Sequence, residues 1–306
     1  MGGVTMALGY DRPLYILAFD HRGSFVKKFF GIAGAPSDEE SARIADAKAV
    51  IFEGARRALA GGVDASAAGI LVDEQFGAAI ARAAHAEGIT LSMPVERSGQ
   101  DEFDFDYGEA FGEHIEAFDP TFSKVLVRWN PEGDVDMNRR QGERLRRLGE
   151  WLHAHGRKHH VELLVPAEPA QLAAVGGDPG RYDRELRPRL MREAIAELQA
   201  LGVEADVWKI EGVDTREDCE MLAAQARSGG RDGVACVVLG RGADDAAVDH
   251  WLRVGKGVPG YLGFAIGRSI WWDPLKAYVD GAADRAAAAD AIGANYRRFI
   301  DVYEQA

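Results

Sequence analysis

Short apolar runs alternate with longer amphipathic segments along the whole chain. Each run has the length of a buried β-strand, whereas apolar positions between the runs recur with the period of an α-helix. This alternation predicts βαβ units and a parallel sheet. The predicted strands are LYILAFD (14–20), GILVDEQ (69–75), TLSMPVE (90–96), SKVLVRW (123–129), HVELLVP (160–166), ADVWKIE (205–211), ACVVLGR (235–241) and YLGFAIG (261–267).

The number of these units predicts a closed barrel. Eight βα units close into a (β/α)8 barrel of roughly 250 residues or more. No Pro- or Ser-rich linker divides the chain, so we predict a single-domain α/β TIM barrel over residues 1–306. The alternative is an open doubly wound sheet, which would place a nucleotide-binding glycine loop after the first strand, where the chain reads AFDHRGS. The predicted helices cover 41–60, 136–155, 181–201, 214–227, 243–254 and an Ala-rich segment at 283–304.

The strand pattern also predicts which side chains face the inside of the barrel. Helix-facing positions of a buried parallel strand are apolar, so the opposite parity points inward. Apolar neighbours on both sides turn Lys209 inward in the sixth strand. The same parity turns Lys124, Arg128 and Glu162 inward. Asp20 ends the first strand on the inward parity, so these side chains converge in one cavity.

Charged side chains inside a barrel have two interpretations. Two lysines and two carboxylates compensate each other's charge, so structural ion pairs are one interpretation. A set drawn from separate strands, with no equally polar set on the helix-facing parity, favours a functional site. Active sites of such barrels lie at the carboxyl ends of the strands, where Asp20, Lys209 and Arg268 fall. A desolvated lysine is favoured in its neutral form, which is a nucleophile.

The last two strands end in turns that contain glycine and arginine, VVLGRGAD and FAIGRSIW. Glycines followed by a small polar residue after strands seven and eight suit a phosphate, bound by backbone N–H groups and a helix N-terminus. Gly240 and Gly267 occupy these turns, and Arg241 or Arg268 would add a charged fork. Plain tight turns with solvated arginines are the alternative.

Other polar features carry weaker predictions. The acidic stretch DEFDFDYGE (101–109) is interpreted as a solvated loop or lid rather than a cation site. His153, His155 and His159 lie at a helix end and its connection, and solvated histidines are expected there. Asp73 shares the inward parity of the second strand, so it either helps to bind substrate or pairs with a buried cation.

Composition narrows the class of protein. The net charge of -13 and the pI near 5.1 argue against nucleic acid or an anionic membrane as a partner. Two cysteines are too few for a disulfide framework and suit a reducing cytoplasm. The segment MGGVTMALGYDRP lacks the pattern of a secretory signal, and no apolar run approaches the roughly 18 residues of a membrane helix. We therefore expect a soluble cytoplasmic protein, with a homo-oligomer left open.

A resemblance to a known family lies in five stretches: LYILAFDHRGSF, KVLVRWNPEGD, VELLVP, VWKIEG and GFAIGRSIWWDPL. Together they resemble the 2-deoxy-5-keto-gluconate 6-phosphate aldolase domain of myo-inositol catabolism, which is usually fused behind a sugar kinase. That domain is similar to the tagatose 1,6-bisphosphate and sulfofructose phosphate aldolases, which are class I, Schiff-base barrels. No sugar-kinase region precedes the first strand, so we expect the barrel alone.

The resemblance implies roles for individual residues. Lys209 corresponds to the Schiff-base lysine and Glu162 to the proton-transfer carboxylate. Lys124 is the supporting lysine, Asp20 is the polar partner on strand one, and Arg268 is a phosphate ligand. Burial would raise the pKa of Glu162 toward neutrality, as a general base needs, while the lysines oppose that rise. The remaining residues expected to bind substrate are His21, Arg128, Gly240, Arg241 and Gly267.

The implied reaction is aldol cleavage of a phosphorylated sugar, without metal or another cofactor. For the inositol-pathway keto acid, the products are dihydroxyacetone phosphate and malonate semialdehyde. The substrate stays open, because His21 stands where the tagatose enzymes have glutamine and RWNPEGD departs from a Tyr-His-Pro-Asp pattern. Two other functions also stay open. One is a metal-dependent lyase or isomerase that uses Asp73, Glu162 and a histidine, and the other is a non-catalytic barrel that binds sugar phosphates.

Overall fold

A computed structural model describes residues 7–306, which form a closed barrel of parallel strands. Each strand pairs with its neighbours in chain order, and the first strand pairs with the last. The predicted (β/α)8 barrel is confirmed. Residues 1–6, the start of the segment interpreted as lacking a secretory signal, lie outside the described residues. The strands are β1 (Leu14–Ala18), β2 (Ala68–Leu71), β3 (Thr90–Pro94), β4 (Phe122–Arg128), β5 (Lys158–Leu164), β6 (Val207–Glu211), β7 (Ala235–Leu239) and β8 (Tyr261–Ile266).

Helices follow the strands and cover the outside of the barrel. Several begin at a residue whose side chain accepts a backbone N–H of the first turn, as Ser37, Asp134 and Asp284 do. Over residues 7–306, none of the helices is both long and apolar enough to cross a membrane. The helices are α1 (Asp38–Ala60), α2 (Glu74–Ala86), α3 (Phe111–Phe118), α4 (Val135–Ala154), α5 (Pro169–Ala174), α6 (Pro179–Glu185), α7 (Arg187–Ala200), α8 (Arg216–Ala226), α9 (Asp245–Gly255), α10 (Arg268–Val279) and α11 (Arg285–Glu304).

Two predicted elements differ from the structure for identifiable reasons. The single helix predicted over 181–201 is two helices, α6 and α7, that meet at Leu186. Pro188 lies in the first turn of α7, where its missing N–H costs little, whereas inside a longer helix it would remove a hydrogen bond. The second strand ends at Leu71 rather than at residue 75, because the Asp73 side chain caps α2 by accepting the Phe76 N–H.

The core has an outer and an inner apolar layer. The outer layer lies between barrel and helices and includes Val125, Val161 and Trp208, as the parity argument predicted. The inner layer fills the part of the barrel interior that lies nearer the amino ends of the strands, and it includes Ile16 and Val207. Further along the inward face of several strands the side chains become polar. The fold therefore supplies an apolar floor with charged groups above it at the carboxyl ends of the strands.

The amino-end face of the barrel is closed by polar contacts around Asp206. Its carboxylate accepts the N–H of Gly9 at 2.8 Å and pairs with His153 at 2.9 Å. His155 stacks on a tryptophan at the end of α4. The expectation that these histidines are solvated is wrong for His159, which lies on β5 and is fully buried. Burial lowers the pKa of the His159 ring to about 4, so the ring is neutral.

Candidate active site

A cavity of about 670 Å³ opens at the carboxyl ends of the strands. Its position matches the usual location of active sites in this fold. The floor is formed by the charged inward positions, and the rim by the loops that follow the strands. Every residue that the sequence predicted for the site contributes to the lining: Asp20, His21, Lys124, Arg128, Glu162, Lys209, Gly240, Arg241, Gly267 and Arg268.

A buried cluster of charged groups centred on Lys124 forms the floor of the cavity. The Lys124 Nζ lies 2.9 Å from Asp20 Oδ2, 2.9 Å from Glu96 Oε1 and 2.8 Å from Glu162 Oε2. Lys209 Nζ lies 3.0 Å from the same Glu162 oxygen. Two ammonium groups thus share one carboxylate oxygen, and Lys124 is shared by three carboxylates.

Strand register explains why these groups meet. Glu162 is paired with Lys209 across β5 and β6, so their side chains point inward at the same level. Lys124 is paired with His160 and points inward from β4, below the level of Glu162. His160 is buried, and its Nδ1 lies 3.3 Å from the Ser92 hydroxyl.

The pKa values in the cluster follow from burial and charge. Burial disfavours the Lys124 ammonium, but its three carboxylates outweigh this and raise the Lys124 pKa well above its ordinary value. Burial raises the pKa of Asp20 and of Glu162, yet the nearby lysines lower both below their ordinary values. Of the two opposing effects on the Glu162 pKa, the attraction of the two lysines exceeds the cost of burial, so in the free protein this pKa is not raised toward neutrality.

Glu96 and Arg22 were not singled out from the sequence. Glu96 follows β3, and its backbone forms an isolated antiparallel bridge to Phe105. Arg22 donates to the Glu96 carbonyl at 2.7 Å and pairs with Asp106 at 2.7 Å. Its Nη2 also lies 3.5 Å from Glu96 Oε1. The parity of Ser92 in the third strand predicts an inward Glu96, a signal that was present but unused.

Lys48 holds the backbone on both sides of Asp20. It is a fully buried residue of α1 and donates to the Phe19 carbonyl at 2.8 Å and the His21 carbonyl at 3.0 Å. It also forms a buried ion pair with Asp73. Asp73 does not line the cavity, so the metal site that would combine it with Glu162 is not assembled. Across residues 7–306 no three His, Cys, Asp or Glu side chains are arranged to hold a metal ion.

The turns after β7 and β8 form one side of the rim. Gly267 precedes α10, and a Cβ there would lie 2.3 Å from the Ala18 carbonyl oxygen, so only glycine fits. Arg268 donates to the Arg241 carbonyl at 2.8 Å and has no ion-pair partner among residues 7–306. Arg241 is different, because Asp183 and Glu211 each lie 2.9 Å from its guanidinium.

Arg128 lies on the opposite side of the rim, since β4 and β8 are four strands apart in the barrel. It donates to the Gln100 carbonyl at 2.7 Å and has no ion-pair partner within the described residues. In the acidic stretch beyond Gln100, Glu102 contacts Arg140 and Arg144, and these contacts lower its pKa to about 2. Across the cavity, His21 contacts Trp271 edge-on, and burial lowers the His21 pKa to about 4.

Solved structures with a similar fold include two aldolases. A fructose-bisphosphate aldolase from Plasmodium falciparum, solved with TRAP and a small-molecule inhibitor, is 13% identical with a TM-score of 0.68, and the alignment covers 96% of this chain and 91% of that one. A Schiff-base-forming fructose-1,6-bisphosphate aldolase is 14% identical with a TM-score of 0.57, covering 95% and 94%. At these identities the likeness concerns the fold.

A third similar structure is a structural-genomics target from Corynebacterium glutamicum (Brevibacterium flavum). It is 17% identical with a TM-score of 0.58, and the alignment covers 96% of this chain and 88% of that one. No curated protein matches the chain in sequence. One family, described as "Uncharacterized protein conserved in bacteria (DUF2090)", matches residues 4–306. Because the match spans nearly the whole chain, this protein belongs to that family.

Proposed function

We propose that this protein is a class I aldolase that cleaves a phosphorylated keto sugar acid through a Schiff base on Lys209. The main support is the position of the buried Lys209, whose Nζ lies 3.0 Å from Glu162 Oε2. Both groups lie at the floor of a cavity that a sugar phosphate could enter. The Nζ of the second lysine, Lys124, lies 2.8 Å from the same Glu162 oxygen. The likeness of the barrel to a Schiff-base-forming aldolase supports the same chemistry.

The proposed reaction uses these groups in sequence. Neutral Lys209 attacks the ketone, water is lost, and the resulting iminium withdraws electrons from the neighbouring carbon. Glu162 removes the proton from the hydroxyl beyond the bond to be broken, and that bond's electron pair moves into the enamine. The aldehyde product leaves first. Protonation of the enamine and addition of water then release the ketone product and regenerate Lys209.

Lys124 and Asp20 support this chemistry electrostatically. Lys124 keeps Glu162 ionised and oriented toward Lys209, and Asp20 keeps Lys124 in position through its 2.9 Å contact. Each group acts in a buried environment, where charge interactions are stronger than in water. No bound metal or organic cofactor is required in this sequence of steps.

The favoured substrate is 2-deoxy-5-keto-gluconate 6-phosphate, with dihydroxyacetone phosphate and malonate semialdehyde as products in myo-inositol catabolism. The sequence motifs support this choice. Arg268 and the first N–H groups of α10 suit the phosphate. Arg128, on the opposite rim, suits the carboxylate. Two carboxylates already neutralise the Arg241 side chain. Arg241 and Gly240 would therefore contribute to substrate binding mainly through the backbone of their turn.

Borohydride trapping tests the proposal. The protein is incubated with dihydroxyacetone phosphate or with a panel of ketose phosphates, reduced with borohydride, digested and analysed by mass spectrometry. We expect an adduct on Lys209 that is lost in Lys209→Ala and kept in the control variant Lys276→Ala, whose lysine lies on the surface of α10. An adduct only on Lys124 or on surface lysines would contradict the assignment, and binding without adduct or turnover would favour a non-catalytic barrel.

A further inference from the structure

Glu96 is a buried carboxylate that the proposed sequence of steps does not use. One of its oxygens, Oε1, lies 2.9 Å from Lys124 Nζ. The other, Oε2, is buried and has no hydrogen-bond partner in the described part of the chain. A buried carboxylate oxygen without a donor is costly unless it carries or receives a proton at some stage. The residue also lines the cavity, so it is close to the proposed reacting groups.

The buried cluster is balanced in charge when all of its groups are ionised. Its cations are Lys124, Lys209 and Arg22, and each is at most 6% exposed. Its carboxylates are those of Asp20, Glu96 and Glu162, and each is at most 9% exposed. Asp106 contacts Arg22 from a more exposed position outside this set.

Formation of the nucleophile would disturb this balance. Lys209 must lose a proton before it attacks a ketone. If that proton left for solvent, the buried cluster would retain one negative charge without a counterion, and unpaired buried charges are strongly unfavourable. If a carboxylate of the cluster accepted the proton, the net charge would not change. The structure therefore favours an internal acceptor.

We propose that Glu96 is this internal acceptor, reached from Lys209 through Glu162 and Lys124; the inference rests on the proposed Schiff-base chemistry. Glu162 takes the proton across 3.0 Å, and Lys124 receives it across 2.8 Å while giving one of its own to Glu96 across 2.9 Å. The net change converts the Lys209 ammonium and the Glu96 carboxylate into an amine and a carboxylic acid. Glu162 and Lys124 finish as they began.

The same proton is used when the iminium forms. Attack of the amine on the ketone, with transfer of one amine proton to the carbonyl oxygen, gives a neutral carbinolamine. Its hydroxyl must then be protonated to leave as water. The proton on Glu96 returns by the same contacts and leaves in that water molecule. Glu96 is then a carboxylate again and Lys209 is a cationic iminium, so the cluster has the same charge before and after the step.

The surroundings of Glu96 agree with this role. The charged groups that face it are Lys124 from β4, Arg22 and Asp20 after β1, and, beyond these, Glu162 and Lys209. Burial raises the pKa of Glu96 and Asp20 adds to the rise, while Lys124 and Arg22 oppose it without cancelling it. Among the three carboxylates of Lys124, Glu96 is thus the one with a raised pKa.

The test measures how fast the Lys209 adduct forms at different pH values. Wild type and Glu96→Gln are mixed with dihydroxyacetone phosphate from about pH 6 to about pH 8 and quenched with borohydride at set times. We expect a nearly pH-independent rate for wild type, because the proton stays inside the protein. Glu96→Gln should be about 10²-fold slower at the highest pH, with a rate that falls about tenfold per pH unit. The substitution leaves the cluster balanced with a neutral Lys209, so the proton for the departing hydroxyl must come from solvent.

Two further variants make the result specific. Asp106→Asn changes the other partner of Arg22 and should keep the pH-independent rate. Glu96→Asp retains a carboxyl group and should react more slowly than wild type with the same flat profile, which keeps the test valid if Glu96→Gln does not fold. Equal rates and flat profiles in wild type and Glu96→Gln, or a sloped profile in Glu96→Asp, would overturn the role of Glu96 alone. Absence of any adduct in wild type would instead overturn the proposed function.

Discussion

Glu162 and Lys209 are directly paired across neighbouring strands, and the Glu162 carboxylate lies 3.0 Å from the Lys209 amine. The pairing is set by backbone hydrogen bonds of the barrel, so the two groups are held on rigid elements rather than on loops. This separation allows direct proton transfer between them. In the proposed mechanism it also leaves Glu162 next to the carbon skeleton of the substrate on Lys209.

We expect Glu162→Gln to slow cleavage more than Schiff-base formation. Glutamine keeps the shape and much of the hydrogen bonding but cannot act as a base. Loss of a general base typically costs about 10²–10⁴-fold in rate, and turnover should fall by that amount. Formation of the adduct with dihydroxyacetone phosphate should also slow, because Glu162 links Lys209 to Glu96. Its final extent should nevertheless persist more than turnover does, because solvent water can exchange those protons over a long incubation. Steady-state assays and borohydride trapping measure the two effects, and a wild-type cleavage rate would leave Glu162 with a structural role only.

Arg268 should contribute to affinity for a phosphorylated ligand. Its guanidinium is not neutralised by a carboxylate within residues 7–306, and it lies at the N-terminus of α10. A hydrogen bond to a charged group contributes about 1.5–3 kcal/mol, so Arg268→Ala should weaken binding of dihydroxyacetone phosphate by roughly 10- to 150-fold. Titration calorimetry can measure this loss. Arg139→Ala, which removes an exposed arginine of α4, is the matched control, and equal losses in both variants would contradict the assignment.

Lys48→Met should destabilise the fold strongly. The substitution removes the donor to the carbonyls of Phe19 and His21 and leaves Asp73 as a buried carboxylate without its cation. Breaking a buried ion pair from one side typically costs about 3–5 kcal/mol in the free energy of unfolding. The double variant with Asp73→Asn should recover part of that loss, because asparagine is neutral and still caps α2. Urea unfolding measures both values, and additive losses would contradict the proposed pairing.

Buried histidines should make stability fall on mild acidification. Burial lowers the pKa of His159 to about 4 and that of His160 to about 3. Below the ordinary histidine pKa of about 6.5, each ring binds a proton in the unfolded chain but not in the folded protein. Its contribution to the free energy of unfolding is therefore fully present above this pH and is lost as the pH falls toward the folded-state pKa. Each ring contributes up to about 1.4 kcal/mol per pH unit between its unfolded and folded pKa values.

The histidine prediction is checked by comparing the pH dependence of unfolding in wild type and in His159→Gln. Glutamine can still donate to the Glu204 carbonyl that contacts the His159 ring but takes up no proton. We expect a smaller loss of stability in the variant between about pH 6.5 and about pH 4. The same loss in both proteins would show that His159 does not contribute.

The sequence by itself determined the barrel and the inward direction of Lys124, Glu162 and Lys209. Both follow from local periodicity: alternating runs predict βα units, and side chains of a strand alternate between its two faces. Because helices must cover apolar positions, the charged positions can only face the interior. The inward direction of these side chains does not depend on which strands are neighbours, so local periodicity is enough to predict it.

Only the tertiary structure decided which charged groups touch. Asp73 has the inward parity, but its side chain caps α2 and pairs with Lys48. Lys48 lies on a different element, the helix predicted over 41–60. Arg241 follows a strand like Arg268, yet the folded chain brings two carboxylates to Arg241, whereas no carboxylate of residues 7–306 pairs with Arg268. Glu96 receives its contacts from a strand 28 residues away and from a loop 74 residues away. Charge pairing acts through space over a few ångströms, and the distances between side chains from separate strands and loops exist only once the barrel has closed.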